Sequence, residues 1–117
     1  METICILRNI FKALRDFEES FAKMYGVCLN EAMALCCLSD GQCSSTEIAE
    51  KTGMSASHTS KVIGALEKKK LIKRILGEQD KRQMYFRLTE SGRERLVWIR
   101  KEEIIIPDIL SPVFKNK

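Results

Sequence analysis

Apolar residues in the first quarter of the chain recur at three- and four-residue steps. Leu7, Ile10, Phe11, Leu14, Phe17 and Phe21 form one stripe, which Ile4 and Met24 extend, with Arg8, Lys12, Arg15 and Glu19 mostly between them. This period predicts an amphipathic helix over about residues 3–24. A helix so apolar on one side needs a covering surface, either its own domain or a second subunit. Gly26 ends that helix or follows it. Asn30 is a candidate cap for a short helix over 31–38, which offers Ala32, Leu35, Cys36 and Leu38 to the core. Ser39-Asp40-Gly41 is turn chemistry, and Gln42-Cys43 reads as a short strand that joins a later ribbon.

Two short helices and a tight turn come next. Ser44-Ser45-Thr46-Glu47 fits a capping box, in which the Ser44 hydroxyl and the Glu47 carboxylate each satisfy a backbone N–H at the start of a helix. That helix covers about 45–51 and turns Ile48 and Ala49 inward. Thr52-Gly53-Met54 is the turn, where glycine tolerates a positive φ. Ser55 caps a second helix over about 56–69, whose Thr59, Val62, Ile63 and Leu66 form a core-facing stripe. Its other face carries Ser57, His58, Lys61 and, further on, Lys68. This is helix-turn-helix grammar, although unrelated helical hairpins imitate it.

The continuation narrows the reading. Residues 71–76 are β-prone with basic residues among apolar ones, residues 77–82 form a polar hairpin tip, and residues 84–88 form the return strand. Thr89 caps a last long helix from about 90 to 106, before Pro107 and Pro112 limit further helix. The fold expected is mainly α with a small β-ribbon, a winged helix-turn-helix in one domain. Residues 29–90 are its core, and the helices of residues 1–28 and 91–117 are dimerisation elements.

Charge sharpens this picture. The net charge of +4 is unevenly spread. Residues 1–50 hold 4 basic and 8 acidic side chains, residues 51–101 hold 14 and 5, and residues 102–117 hold 2 and 3. A +9 segment over the helix pair and ribbon suits a polyanion. With 44% hydrophobic and 31% charged residues the chain is globular rather than disordered. No apolar run approaches a membrane span, and residues 1–17 do not resemble a signal peptide, so a cytoplasmic protein is expected.

From about Leu29 to Arg95 the sequence resembles the MarR family of winged helix-turn-helix transcription regulators. The most specific match is in the wing, where Asp80-x-Arg82 followed by Leu88-Thr89 and Gly92 is similar to the family's wing signature. Residues 57–74, SHTSKVIGALEKKKLIKR, look like the family's recognition helix and the strand after it. The resemblance implies a homodimer joined by N- and C-terminal helices, bound to a pseudo-palindromic site in double-stranded DNA. Recognition helices lie in the major groove and wings in or near the minor groove. Many members respond to small-molecule effectors and some to cysteine oxidation. Typical members are somewhat longer, and here the C-terminal segment is broken by Pro107 and Pro112.

The candidate DNA-binding residues are Ser55, Ser57, His58, Lys61, Lys73, Lys81 and Arg82. Short hydroxyls and helix N-terminal N–H groups suit phosphates and base edges, and Lys61 can reach guanine acceptors. A wing arginine such as Arg82 can enter a narrow minor groove. Asp80 is read as structural, because a carboxylate repels phosphate. The plain alternative is an ordinary solvated surface, with Asp80 and Arg82 in a local ion pair. Lys68, Lys69, Lys70 and Arg74 add long-range attraction.

Five cysteines, Cys5, Cys28, Cys36, Cys37 and Cys43, contain no CxxC pair and do not suggest a disulfide framework. At least one of Cys36 and Cys37 is expected to be a small buried hydrophobe. A redox role for Cys5 has only Arg8 nearby to support it. Cys36, Cys37, Cys43 and His58 lack zinc-ligand spacing, and neither a metal nor another cofactor is expected. The lone histidine and the absence of a phosphate loop argue against an enzyme. The competing function is a winged-helix module that binds protein rather than DNA.

Overall fold

The computed structural model describes residues 2–77, 83–101 and 107–114, with backbone only for 113 and 114. The chain divides into two compact units: Met1–Cys28 with Glu102–Lys117, and Leu29–Lys101.

In the first unit, helix α1 spans Thr3–Tyr25. Gly26 ends it in the left-handed region at φ 71°, and its N–H bonds the Ala22 carbonyl, the expected glycine stop. The apolar stripe is divided in its exposure. Phe21 and Tyr25 are buried, with rings 4.8 Å apart, whereas Ile4, Leu7, Phe11 and Met24 are exposed. A 3-10 turn at Asp108–Leu110 lies against α1, and a four-residue helix α6 (Ser111–Phe114) follows.

The second unit is built as α2 (Leu29–Cys37), β1 (Cys43–Ser44), α3 (Ser45–Thr52), α4 (Ala56–Lys68), β2 (Ile72–Leu76), β3 (Met84–Leu88) and α5 (Glu90–Lys101). Its three-stranded antiparallel sheet has the order β1-β3-β2, so β2 is an edge. Leu35, Ile48, Leu66 and Leu71 lie at the centre of the core, each at most 1% exposed. Burying each such side chain stabilises the fold by about 1.5–3 kcal/mol. Mostly helical with one small sheet, this is a winged helix-turn-helix. The capping box is complete: Glu47 N–H donates to Ser44 Oγ at 3.2 Å, and Ser44 N–H donates to Glu47 Oε1 at 3.0 Å. Gly53 takes φ 79° in the turn.

Two local expectations change, and a third falls outside the described residues. Asn30 does not cap α2. It sits inside the first turn, because the helix already begins at Leu29, and its amide lies 3.2 Å from the His58 ring. Cys36 is exposed and Cys37 only half-buried. Glu31 and Ala34 take buried places on α2 instead, and the buried thiol is Cys43. Helix α5 is described to Lys101; the expected continuation over 102–106 lies outside the described residues.

Candidate nucleic-acid interface

Helix α4 is held by its buried stripe. Thr59, Val62, Ile63 and Leu66 are all at most 5% exposed, and Thr59 Oγ1 donates to the Ser55 carbonyl at 2.8 Å. That anchoring leaves Ser57, His58, Ser60, Lys61, Gly64 and Lys68 exposed. Ser55 is exposed too, and its Oγ accepts from the His58 N–H at 3.1 Å as the helix cap. A small-residue face allows close approach of the helix backbone to a partner. Ser60 and Gly64 complete this face and were missed in the sequence. Extending the Ser57–Lys61 step by one more turn identifies Gly64, beside which there is open space.

The end of α4 is fixed by charge. Lys69 donates to both Glu31 oxygens, at 2.8 and 3.0 Å, which ties the helix end to α2. Arg74 on β2 donates twice to Glu67, at 3.0 and 2.8 Å, and lies over the Phe86 ring. The Glu67 carboxylate holds the Arg74 guanidinium above its usual pKa range. Lys69 and Arg74 therefore serve the fold, and their charges are offset locally. Among the described residues, Lys61, Lys68, Lys70, Lys73 and Arg87 have no ion-pair partner. Arg87 had not been singled out from the sequence. Asp80, Lys81 and Arg82 lie outside the described residues.

The wing is seated on α5 by a compact junction. Lys70 takes a positive φ of 61°, and its carbonyl accepts from Thr89 Oγ1 at 2.7 Å. Thr89 Oγ1 in turn accepts from the Gly92 N–H at 3.0 Å, so Thr89 caps α5 as expected. Thr89 N–H donates to the Leu71 carbonyl at 3.0 Å. Gly92 is buried against that carbonyl, which a β-carbon on it would overlap.

Residues 29–84 match the family model described as MarR family. The chain's winged helix is similar to the MarR family over just under half of the chain. MarR-family proteins are DNA-binding transcription regulators, not enzymes. A structure of a probable transcriptional regulator from Pseudomonas aeruginosa is similar at 27% identity and TM-score 0.72, over 88% of this chain and 80% of that one. Staphylococcus aureus MepR, solved with DNA, shares the fold at 20% identity and TM-score 0.73, over 99% of this chain and 79% of its own. Lactococcus lactis ZitR matches at 23% identity and TM-score 0.61, over 63% of this chain, which spans about half (51%) of ZitR. No curated protein matches the sequence. The Thr89–Gly92 junction is the part of the expected wing signature whose packing the structure describes.

Elsewhere, α5 presents an open groove lined by Glu90, Arg93, Glu94, Val97, Trp98 and Lys101, all from that one helix. Among the described residues no group of three or more His, Cys, Asp or Glu side chains could hold a metal, and no helix is long and apolar enough to cross a membrane.

Proposed function

We propose that this chain is a homodimeric, sequence-specific regulator acting as a repressor, which occupies a pseudo-palindromic operator and releases it on binding an effector or under stress. The observation that carries this reading is the exposed face of α4, with Ser57, His58, Lys61 and Gly64 free of core duties beside unpaired ribbon cations. Lys61 reaches base edges or phosphate, and Ser55, Ser57 and His58 contact the duplex near the helix N-terminus. Lys73 and Lys81 meet the backbone, Arg82 enters the minor groove, and Asp80 orients it. Residues 1–28 and 91–117 pair two copies around the 29–90 core. Exposed Ile4, Leu7 and Phe11 on α1 support that pairing, because a stripe this apolar is costly to leave in water. An effector acts by binding one spacing of the two recognition helices more tightly than the other. Such a protein works in the cytoplasm, where its DNA is.

The test is fluorescence anisotropy on random-sequence duplex across a salt series, with oligomeric state from light scattering. A dimer whose affinity falls steeply with salt is expected. A protein indifferent to duplex at low salt overturns the reading in favour of a protein-binding winged helix.

A further inference from the structure

We propose that Lys73 and Arg87 form a phosphate-binding site on the outer face of the ribbon, where both cations grip one backbone phosphate of the duplex. The proposal rests on the DNA-binding reading above.

The register puts Lys73 of β2 directly opposite Arg87 of β3. Side chains alternate across a strand, so the two share a face, and directly opposed residues have β-carbons about 5 Å apart. Both are exposed. The next opposed pair, Arg74 and Phe86, lies on the other face, where Arg74 is committed to Glu67 and the Phe86 ring. Among the described residues, the outer face has no such compensation. Its remaining rung is Ile75 opposite Tyr85, and the Tyr85 hydroxyl donates to Gln83. On the β1 side, opposite Tyr85, the Glu47 carboxylate is held by the Ser44 N–H.

Like charges directly opposite on neighbouring strands destabilise a sheet. Two cations placed this way without a carboxylate partner leave a gap in charge that an anion fills. A phosphodiester fits it, with one non-bridging oxygen for the guanidinium and one for the ammonium. The pair sits three rungs below Leu76–Met84, about 10 Å along the ribbon. It is therefore a site on the shaft of the wing, separate from any contact at the hairpin tip. The occupant is duplex backbone, because the pair belongs to the same +9 segment as the open face of α4.

The experiment compares the full chain with Arg87→Gln, Lys73→Gln, the double variant, Arg87→Lys and the control Lys12→Gln, by anisotropy on one duplex across a salt series. Each single glutamine variant should lower the salt slope by about 0.9 per protomer and weaken binding by about three- to tenfold at fixed salt. The double variant should lose no more than either single one, because one phosphate is shared. Arg87→Lys should keep the slope, and Lys12→Gln should match the parent. Melting temperatures of the glutamine variants should hold or rise as the cross-strand repulsion is relieved. A parent that binds steeply with salt while Arg87→Gln behaves identically overturns the site and leaves the regulator reading intact. Additive losses in the double variant overturn the shared phosphate. A parent that ignores duplex at low salt overturns both.

Discussion

Glu31 and Lys69 join the start of α2 to the end of α4 by two hydrogen bonds, with the carboxylate side chain 6% exposed and the lysine 41% exposed. The last turn of α4 is thereby tied to the core rather than left to fray. Losing the cation beside a buried carboxylate costs more than neutralising the carboxylate, because the charged group stays in poor solvation. We predict that Lys69→Met lowers stability by about 2–3 kcal/mol and Glu31→Gln by about 1–2 kcal/mol, figures reduced from those of fully buried pairs because Lys69 is partly solvated. Urea denaturation checks the order. Equal losses would show that the pair carries no more than an ordinary surface bridge.

Two glycines should respond to alanine with opposite signs. Gly92 has no space for a β-carbon, because the Leu71 carbonyl occupies it and the Leu71 carbonyl carbon is 3.0 Å away. Relief there requires backbone movement, so Gly92→Ala should destabilise by about 2–3 kcal/mol. Gly64 lies mid-helix, exposed, with nothing within 4 Å of the added atom. Gly64→Ala should stabilise by about 0.5–1 kcal/mol through lower backbone entropy in the unfolded chain. Thermal melting of both variants decides the matter, and a destabilising Gly64→Ala would contradict the open space seen there.

The capping box gives an acid-sensitive contribution. The Ser44 backbone N–H, followed by its side chain, holds the Glu47 carboxyl below the usual carboxylate range. A depressed folded-state value means stability that is fully present above the unfolded value, near 4.5, and lost as pH falls through the folded one. Glu47→Gln should therefore weaken the fold at neutral pH and converge with the parent in acid below that window. Ser44→Ala should cost about 1 kcal/mol. Parallel stability curves for Glu47→Gln and the parent down to pH 2 would refute the linkage.

The elements that were legible in the sequence are those whose signals are local. The capping box, the Gly53 turn, the α4 stripe and the Thr89 cap each use residues within a few positions of one another. What was hidden depends on partners distant in sequence. Asn30 has the right chemistry for a cap, yet its amide is used 28 residues away. Glu31 reads as a solvent residue until Lys69, 38 residues on, reaches it. Arg74 and Lys73 are neighbours in a basic run, and only strand alternation separates the one that braces α4 from the one that faces out. Arg87 gained meaning only from the register that set it opposite Lys73. The wing residues Asp80, Lys81 and Arg82 rest on the family resemblance.

The contact between Asn30 and His58 yields the last prediction, one that a single spectrum can test. The Asn30 amide nitrogen lies 3.2 Å from His58 Nε2. We assign the amide nitrogen as the donor, so that Nε2 accepts and the neutral ring carries its proton on Nδ1. This leaves Nδ1–H as the ring's donor, the type of group that pairs with guanine N7 or O6 in a major groove. His58 is the only histidine in the chain, so one imidazole signal reports its state without mutational assignment. We predict nitrogen-15 shifts of an Nδ1–H tautomer in the parent at a pH where the ring is neutral. In Asn30→Ala the population should move towards the Nε2–H form that free imidazole favours. Duplex affinity should fall modestly, by about 0.5–1.5 kcal/mol, the usual net value of one hydrogen bond. An Nε2–H tautomer in the parent would overturn the assigned direction of the bond. An unchanged tautomer in Asn30→Ala would show that Asn30 does not set it, whatever the variant does to DNA binding.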